Sequence, residues 1–176
     1  MRDTIKKGLI MALAIVFVLV GLQTFAQAYS DNAMKKVDEI KDLKAQKKEM
    51  PKELAGVKQI TTDELKKWLD EGKTFVILDN RDSKEYEAEH IPGAKRVGVD
   101  ELLKNGPKEA EAAGVKKDDI IVNYCNGIMC WRSPAAAVLL LDAGYKNIYW
   151  YRDGIPEWVR KGYNTVEGKE AGSWKK

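Results

Sequence analysis

Two cysteines, Cys125 and Cys130, lie five positions apart between a buried apolar run and the start of a helix. The unpaired amides at a helix N-terminus carry partial positive charge, which stabilises a thiolate and lowers the pKa of a cysteine beside them. A persulfide or a bound oxyanion would be stabilised there in the same way. The pattern therefore favours a nucleophilic thiol at Cys125 over a structural half-cystine or a small buried hydrophobe.

The residues that follow Cys125 form a candidate anion-binding loop. Gly127 can adopt the backbone conformation that a tight loop requires. Arg132 supplies a guanidinium group that is always charged and can donate two parallel hydrogen bonds to an anion. A cation just before a helix N-terminus is unfavourable unless an anion is near, although Arg132 has Glu85 and Asp79 as alternative partners. The predicted substrate-binding or anion-binding residues are Asn126, Gly127, Ile128, Met129, Trp131 and Arg132.

Cys130 leaves two main interpretations open, besides a bystander thiol and simple redox cycling with Cys125. In a secreted chain with only two cysteines, a disulfide between Cys125 and Cys130 is the simple expectation, and it would be structural. Alternatively, Cys130 resolves a Cys125 persulfide by thiol attack, which releases sulfide and leaves a disulfide for a reductant to open. Both roles remain candidates at this point.

Composition limits the classes of function. The chain has 176 residues, 44% hydrophobic and 32% charged, with a net charge of +3. This length suits one domain of about 100–150 residues with appendages. With 30 basic and 27 acidic residues, the chain has no electrostatic footprint for nucleic acid. Two cysteines and one histidine barely equip one zinc site, so no metal is predicted.

The N-terminus is typical of a targeting segment. A basic start over residues 1–7 precedes an apolar run over residues 8–22, and a small-x-small pattern ends at Ala28. These features predict a secretory signal peptide that is cleaved after Ala28. An uncleaved membrane anchor is the alternative. Cleavage predicts a periplasmic or secreted protein without membrane contact, in an oxidising compartment.

The next segment, residues 29–55, is charged, and its apolar residues recur every third position. The spacing drifts off a single helical stripe, so this segment is predicted to be a charged helical linker, solvated rather than packed. The apolar residues are Met34, Val37, Ile40 and Leu43.

Beyond this linker, predicted strands and helices alternate. Residues 74–78 and 120–124 are continuous apolar runs, as expected of strands covered on both faces. Thr61 and Glu64 form a capping box, and Ser133 is the predicted N-cap of a helix that begins with proline. A strand over 148–150 and helices over 83–89, 100–104, 107–113 and 156–161 complete the pattern. The alternation predicts an α/β fold with a mainly parallel, doubly wound sheet.

In such a sheet, ligands bind beyond the carboxyl ends of the strands. Two predicted segments lie there, residues 79–94 and residues 125–133. Within the first segment, Asp79 and Arg81 are predicted to support the site structurally. His90, in a predicted turn, is interpreted as a hydrogen-bonding residue of the scaffold rather than a general base.

Three motifs resemble the signatures of the rhodanese-like family, over about residues 57–166. They are Asp79-Asn80-Arg81 with Glu85-Tyr86 and His90-Ile91-Pro92-Gly93-Ala94; Tyr124-Cys125 with Arg132-Ser133; and Gly144-Tyr145-Lys146-Asn147-Ile148-Tyr149 with Gly154-Ile155-Pro156-Glu157-Trp158. The resemblance implies about five strands with helices on both faces. It also implies a persulfide on Cys125, and sulfur transfer from thiosulfate or a polysulfide to a thiol or another thiophilic acceptor. Because the sulfur travels on the protein, the resemblance implies no cofactor.

The chain departs from the family in the loop itself. The family pattern has four residues between the cysteine and the arginine, whereas residues 126–131 intervene here and include Cys130. This spacing resembles a subgroup with a C-x-G-x-x-C loop. Because of this spacing, the identity of the sulfur donor is not predicted. Ser133, like Asp79, Arg81 and His90, is predicted to support the site structurally.

These observations predict a signal peptide over 1–28, a linker over 29–55, a rhodanese-like domain over 56–166 and a C-terminal tail over 167–176. The predicted function is a secreted or periplasmic, monomeric sulfurtransferase. Its expected partners are a small sulfur-containing substrate and a protein thiol that acts as acceptor or reductant. One alternative is a thiol–disulfide redox or sulfide-releasing protein that uses Cys125 and Cys130 together. Another is a non-enzymatic module that carries sulfur or an oxyanion.

Overall fold

The computed structural model describes residues 29–174, so the predicted signal peptide lies outside the described residues. The five strands are β1 (Lys58–Gln59), β2 (Val76–Asp79), β3 (Lys95–Arg96), β4 (Ile120–Tyr124) and β5 (Asn147–Tyr151). The helices of the described part are α1 (Asp31–Ala45), α2 (Thr62–Asp70), α3 (Ser83–Ala88), α4 (Val99–Asn105), α5 (Lys108–Ala112), α6 (Arg132–Asp142) and α7 (Gly154–Arg160).

The five strands form one sheet in the order β1-β5-β4-β2-β3, and every neighbouring pair is parallel. In register, Tyr124 at the end of β4 lies between Asp79 at the end of β2 and Tyr151 at the end of β5. The segments that follow these three strands therefore meet at one edge of the sheet. This is the edge at which the sequence predicts the site.

Alternate residues of the central strands enter two apolar cores, one on each face of the sheet. On β4, Ile121 joins the core formed with α1, α4, α5 and α6, whereas Val122 and Tyr124 join the core formed with α2 and α7. On β5, Trp150 and Tyr151 divide in the same way. The predicted fold class, a parallel sheet with helices on both faces, is confirmed.

Helix α1 corrects the prediction of a solvated linker. Val37 and Ile40 are completely buried, and α1 packs along α6. At its start, the Ser30 hydroxyl donates to the Asp142 carboxylate at the end of α6. The physical reason lies in α6, which is apolar around most of its circumference and therefore needs a partner on its outer face as well as the sheet beneath it.

The predicted C-terminal tail lies against the domain as far as the structure describes it. The Gly93 N–H donates to the Ala171 carbonyl at 2.7 Å. The indole of Trp174 packs edge-on against Trp158 and donates to the Asp70 carboxylate at 3.1 Å. Within residues 29–174, no helix has the length and apolar character needed to cross a bilayer.

Candidate active site

The loop between β4 and α6 begins with Cys125, whose side chain is buried with 1% of its surface exposed. Its backbone is fixed from the side of β5 and α7, because the Ile155 N–H donates to the Cys125 carbonyl at 3.0 Å. Gly154 has φ +64°, and a Cβ at this position would overlap the Cys125 carbonyl oxygen and the Gly127 nitrogen. The reactive loop therefore depends on a glycine that belongs to the neighbouring strand–helix connection.

A disulfide joins Cys125 to Cys130, with their Cα atoms 6.4 Å apart. The intervening chain folds as a turn in which the Cys130 N–H donates to the Gly127 carbonyl at 2.9 Å. Gly127 itself has φ +86°, which favours glycine. The structure thus shows the two sulfur atoms within bonding reach of each other, as both interpretations of Cys130 require.

Ser133 provides the hydrogen bonds to the Cys125 sulfur. Its backbone N–H lies 3.3 Å from Cys125 Sγ, and its hydroxyl oxygen lies 3.0 Å away. The Trp150 indole N–H donates to the same hydroxyl oxygen at 2.9 Å. Since an indole N–H can only donate, the Ser133 hydroxyl accepts there and its own proton is directed to the sulfur.

The prediction that Ser133 caps α6 is corrected by this geometry. The helix begins at Arg132, so Ser133 lies within its first turn and directs an amide of that turn at Cys125. Among the residues described, this is the one backbone amide that bonds to the sulfur. A wider cradle of amides over 126–131 is therefore not formed while the disulfide is closed.

Arg132 binds carboxylates rather than the sulfur. Its guanidinium lies 2.9 Å from Glu85, 3.6 Å from Asp82 and 3.9 Å from Asp100. Of the two alternatives for Arg132, this structure contains the ion pair, with Glu85 and not with Asp79. An anionic ligand would have to compete with these carboxylates for the guanidinium.

A buried ion pair supports the loop from the side of β2. Arg81 lies 2.6 Å from the Asp79 carboxylate and also donates to the Glu89 carbonyl at 2.6 Å. The Tyr124 hydroxyl donates to the same carboxylate at 2.5 Å. Burial, together with the charge of Asp79, raises the pKa of Tyr124 well above its usual range, so this hydroxyl stays protonated.

Asn126 connects this support to the loop, since its amide oxygen accepts from Arg81 and its amide nitrogen donates to Glu85. His90 is completely buried. Its ring stacks on Tyr86, and its two nitrogens lie 2.8 Å and 3.0 Å from the Tyr86 and Glu170 carbonyl oxygens.

A groove of about 330 Å³ opens beside the disulfide. It is lined by Lys44, Glu85, Asn126, Met129, Cys130, Trp131 and Arg132. Met129 is 36% exposed and also lines a neighbouring cavity of about 390 Å³ on the side of α7, together with Gly127 and Ile128. Cys130 therefore lines a groove that opens at the surface, whereas Cys125 lines neither this groove nor the cavity beside α7.

Several residues of the site are absent from the sequence prediction. Trp150 is predicted only as part of the strand over 148–150, although a buried indole N–H requires an acceptor and so indicates a polar neighbour. Met50 donates its N–H to the Ile128 carbonyl at 2.8 Å, and Lys44 lines the groove. Both belong to the segment predicted as a linker, so no local pattern indicates them. In the part of the chain that is described, no His, Cys, Asp and Glu side chains are grouped as a metal site requires.

Comparison with known proteins places these features in a family. The model of the rhodanese-like domain matches residues 61–161. The chain is 35% identical over 113 residues to an HTH-type transcriptional regulator of Mycobacterium tuberculosis, covering 64% of this chain and 46% of the regulator. It is 33% identical over 102 residues to a tRNA uridine(34) hydroxylase of Photorhabdus laumondii, covering 58% of this chain and 28% of the hydroxylase. The chain thus spans less than half the length of either relative.

Among solved structures, a polysulfide-sulfur transferase homodimer from Wolinella succinogenes is similar with a TM-score of 0.53 and 19% identity, covering 78% of this chain and 90% of the transferase. At this identity the likeness concerns the fold. The matched family model covers strands β2 to β5, the loop after β4 and the supporting residues after β2. The chain belongs to the rhodanese-like domain family.

Proposed function

We propose that this protein is a sulfurtransferase that carries sulfane sulfur as a persulfide on Cys125 after the disulfide to Cys130 has been reduced. The observation that carries this proposal is the pair of hydrogen-bond donors from Ser133, which lie 3.3 Å and 3.0 Å from Cys125 Sγ. Donors in these positions stabilise negative charge on sulfur, and the N-terminus of α6 adds its partial positive charge.

The transfer follows from the chemistry of the thiolate. With thiosulfate as donor, the Cys125 thiolate attacks the outer sulfur, the sulfur–sulfur bond breaks, and sulfite leaves with the electron pair. An acceptor thiolate then attacks the outer sulfur of the persulfide, and the Cys125 thiolate leaves. The Ser133 amide and hydroxyl stabilise the charge on sulfur before and after transfer.

The donor is proposed to be thiosulfate or a polysulfide, both small anions. The groove beside the disulfide contains two cationic side chains, Lys44 and Arg132, and the Glu85 carboxylate that pairs with Arg132. A neighbour with the same fold is named as a polysulfide-sulfur transferase, and we propose the same class of substrate for this chain. The acceptor is proposed to be a thiol, and the mechanism uses no cofactor.

We also propose that the protein works in the periplasm or outside the cell after cleavage behind Ala28. A disulfide between the only two cysteines suits an oxidising compartment. Mass spectrometry of the protein isolated from its native cells tests this: an N-terminus at Tyr29 is expected, whereas an N-terminus at Met1 would contradict cleavage.

The sulfur-transfer proposal is tested by intact mass after the full chain has been reduced and freed of reductant. With Cys130→Ser, addition of thiosulfate or polysulfide is expected to add about 32 Da, the mass of one sulfur atom. The Cys125→Ser variant is the matched control and should gain nothing. Failure of the Cys130→Ser chain to gain mass with either donor, or an equal gain by the Cys125→Ser chain, would overturn the proposal.

A further inference from the structure

We infer that Cys130 is the resolving cysteine of this site, and that it converts the Cys125 persulfide into hydrosulfide and a disulfide. The inference rests on the proposed persulfide and gives that persulfide a second outcome. Alongside transfer of sulfur to an acceptor thiol, the chain would act as a persulfide reductase driven by an external dithiol.

The first support is the closed disulfide itself. The Cα atoms of Cys125 and Cys130 are 6.4 Å apart, within the usual range for disulfides of about 4.4–6.8 Å. The loop is held in this shape by the bond from the Cys130 N–H to the Gly127 carbonyl and by the bond from the Met50 N–H to the Ile128 carbonyl. Cys130 therefore reaches the inner sulfur of a persulfide in a conformation that the chain adopts.

The step balances as follows. The Cys130 thiolate attacks the inner sulfur, which is Sγ of Cys125, and the bond between the inner and outer sulfur breaks. The outer sulfur leaves with the electron pair as hydrosulfide, and the Cys125–Cys130 disulfide forms. The sulfane sulfur is reduced by two electrons, which come from the two cysteine thiols.

The second support is the unequal exposure of the two sulfur-bearing residues. Cys130 lines the groove and is 8% exposed, whereas Cys125 is 1% exposed and lines none of the cavities described here. A thiol from solution therefore meets Cys130 first. It attacks Cys130 Sγ, forms a mixed disulfide there, and displaces the Cys125 thiolate.

The third support is the unequal hydrogen bonding of the two sulfurs. Displacement is faster when the leaving thiolate is stabilised. The Ser133 amide and hydroxyl bond to Cys125 Sγ, and Trp150 orients that hydroxyl. Over residues 29–174, the structure shows no corresponding donor at Cys130 Sγ. Both asymmetries favour attack at Cys130 and departure of Cys125.

A dithiol completes the cycle. Its first thiol forms the mixed disulfide with Cys130. Its second thiol then attacks the first thiol's sulfur in this mixed disulfide, which releases Cys130 as a thiolate and leaves the dithiol with an internal disulfide. Over the cycle, one dithiol is oxidised and one sulfane sulfur is released as hydrosulfide. The chain returns to its reduced state.

The decisive experiment is a single turnover with the reduced full chain, freed of reductant, and one equivalent of thiosulfate. The native chain is expected to release one hydrosulfide and end about 2 Da lighter than the reduced chain, as the disulfide. The Cys130→Ser chain should keep the persulfide and release hydrosulfide at least about 100-fold more slowly, since it lacks the intramolecular attack.

The two proposals fail differently in this experiment. A native chain that keeps a stable persulfide, as Cys130→Ser does, would overturn the role of Cys130 while the persulfide mechanism survives. Absence of both persulfide on Cys130→Ser and hydrosulfide from the native chain would overturn the sulfur-transfer proposal itself.

A separate experiment shows which of the two cysteine sulfurs the incoming thiol attacks. The oxidised chain is treated with a monothiol in the presence of an alkylating agent, and the peptides are mapped by mass. The monothiol is expected on Cys130 and the alkyl group on Cys125, and the reverse pattern would overturn the assignment.

Ser133→Ala should slow opening of the disulfide about tenfold, the effect of one lost hydrogen bond. Ser173→Ala, in the exposed tail, is the matched control and should leave the rate unchanged.

Discussion

The segments that follow β2 and β4 lie side by side at one edge of the sheet, but they are held by different means. After β2, buried charges fix the chain: Asp79 and Arg81 pair at 2.6 Å, with the Tyr124 hydroxyl on the same carboxylate. After β4, backbone contacts and a covalent bond between two cysteines fix the loop. Removal of one partner from the first set leaves a buried charge unpaired, which is strongly destabilising, whereas the second set includes a bond that thiols can open.

This difference suggests a division of work. The segment after β2 provides a fixed frame, and through Asn126 and Glu85 that frame contacts the loop after β4. The disulfide in the loop can then be opened and closed while the domain stays folded, because the segment after β2 contributes more of the free energy of folding. Four substitutions or treatments test this division, beginning with the largest expected effect.

Removal of a buried charge in the frame should be most damaging. Asp79→Ala leaves the buried Arg81 guanidinium without its carboxylate, and we expect a loss of about 3–5 kcal/mol in the free energy of unfolding. Urea denaturation measures this loss. Asp118→Ala, which breaks the exposed pair with Lys146, is the control and should change stability little. Equal losses in the two variants would show that the frame is not specially important.

Gly154→Ala tests the backbone contact that holds the loop. The new Cβ would overlap the Cys125 carbonyl, so we expect a loss of about 2–3 kcal/mol from overpacking together with impaired persulfide formation. Gly162→Ala is the matched control, because Gly162 also has a positive φ but has open space at its Cβ position. If the two variants unfold alike in urea, the loop does not depend on this close approach.

Opening of the disulfide should cost less than loss of the frame. For so short a loop, chain entropy predicts a difference of about 2 kcal/mol between the oxidised and reduced chains. Urea unfolding with and without a reductant measures the difference, and Cys130→Ser should not respond to the reductant. A reduced chain that no longer folds would show that the disulfide is structural.

Trp150→Phe should have the smallest effect on stability, about 1–2 kcal/mol, because it removes one hydrogen bond and the five-membered ring but keeps an aromatic six-membered ring. In the reduced chain, loss of the N–H that orients the Ser133 hydroxyl should move the pH dependence of Cys125 alkylation to higher pH. Trp68→Phe, in an aromatic cluster with Phe75 and Tyr149, is the control. A pH profile identical to that of the native chain would separate Trp150 from the chemistry of Cys125.

The strands with continuous apolar runs were accessible from sequence. β2 and β4 are covered on both faces, so apolar side chains occupy successive positions, and short continuous runs of this kind between turn residues are typical of buried parallel strands. The edge strands β1 and β3 contain only Lys58–Gln59 and Lys95–Arg96, and such short charged pairs carry no hydrophobic pattern. Their existence follows from the register of their neighbours, which sequence does not display.

The site divides in the same way. The position of Cys125 after a buried strand and before a helix is a local feature, so sequence alone identifies it as the candidate nucleophile. The partners of Arg132 and Ser133 depend on which segments come together at the sheet edge. Arg132 meets Glu85, which lies 47 positions earlier in the chain, and Ser133 meets Trp150, 17 positions later. Glu85 could therefore be named from sequence only as one of two acidic candidates for Arg132, and the contact between Ser133 and Trp150 leaves no trace in a local pattern.

The packing of α1 on α6 has a consequence for the order in which the domain assembles. Helix α1 is the first described helix to be synthesised. Its apolar side packs on α6, which begins about a hundred positions later, at Arg132. Contacts between such distant segments form late, because the intervening chain must first be ordered. During synthesis, which starts at the N-terminus, α1 therefore cannot dock until α6 has left the ribosome. The hydrogen bond from the Met50 N–H to the Ile128 carbonyl, which holds the loop that contains both cysteines, would then form in the last stage of folding.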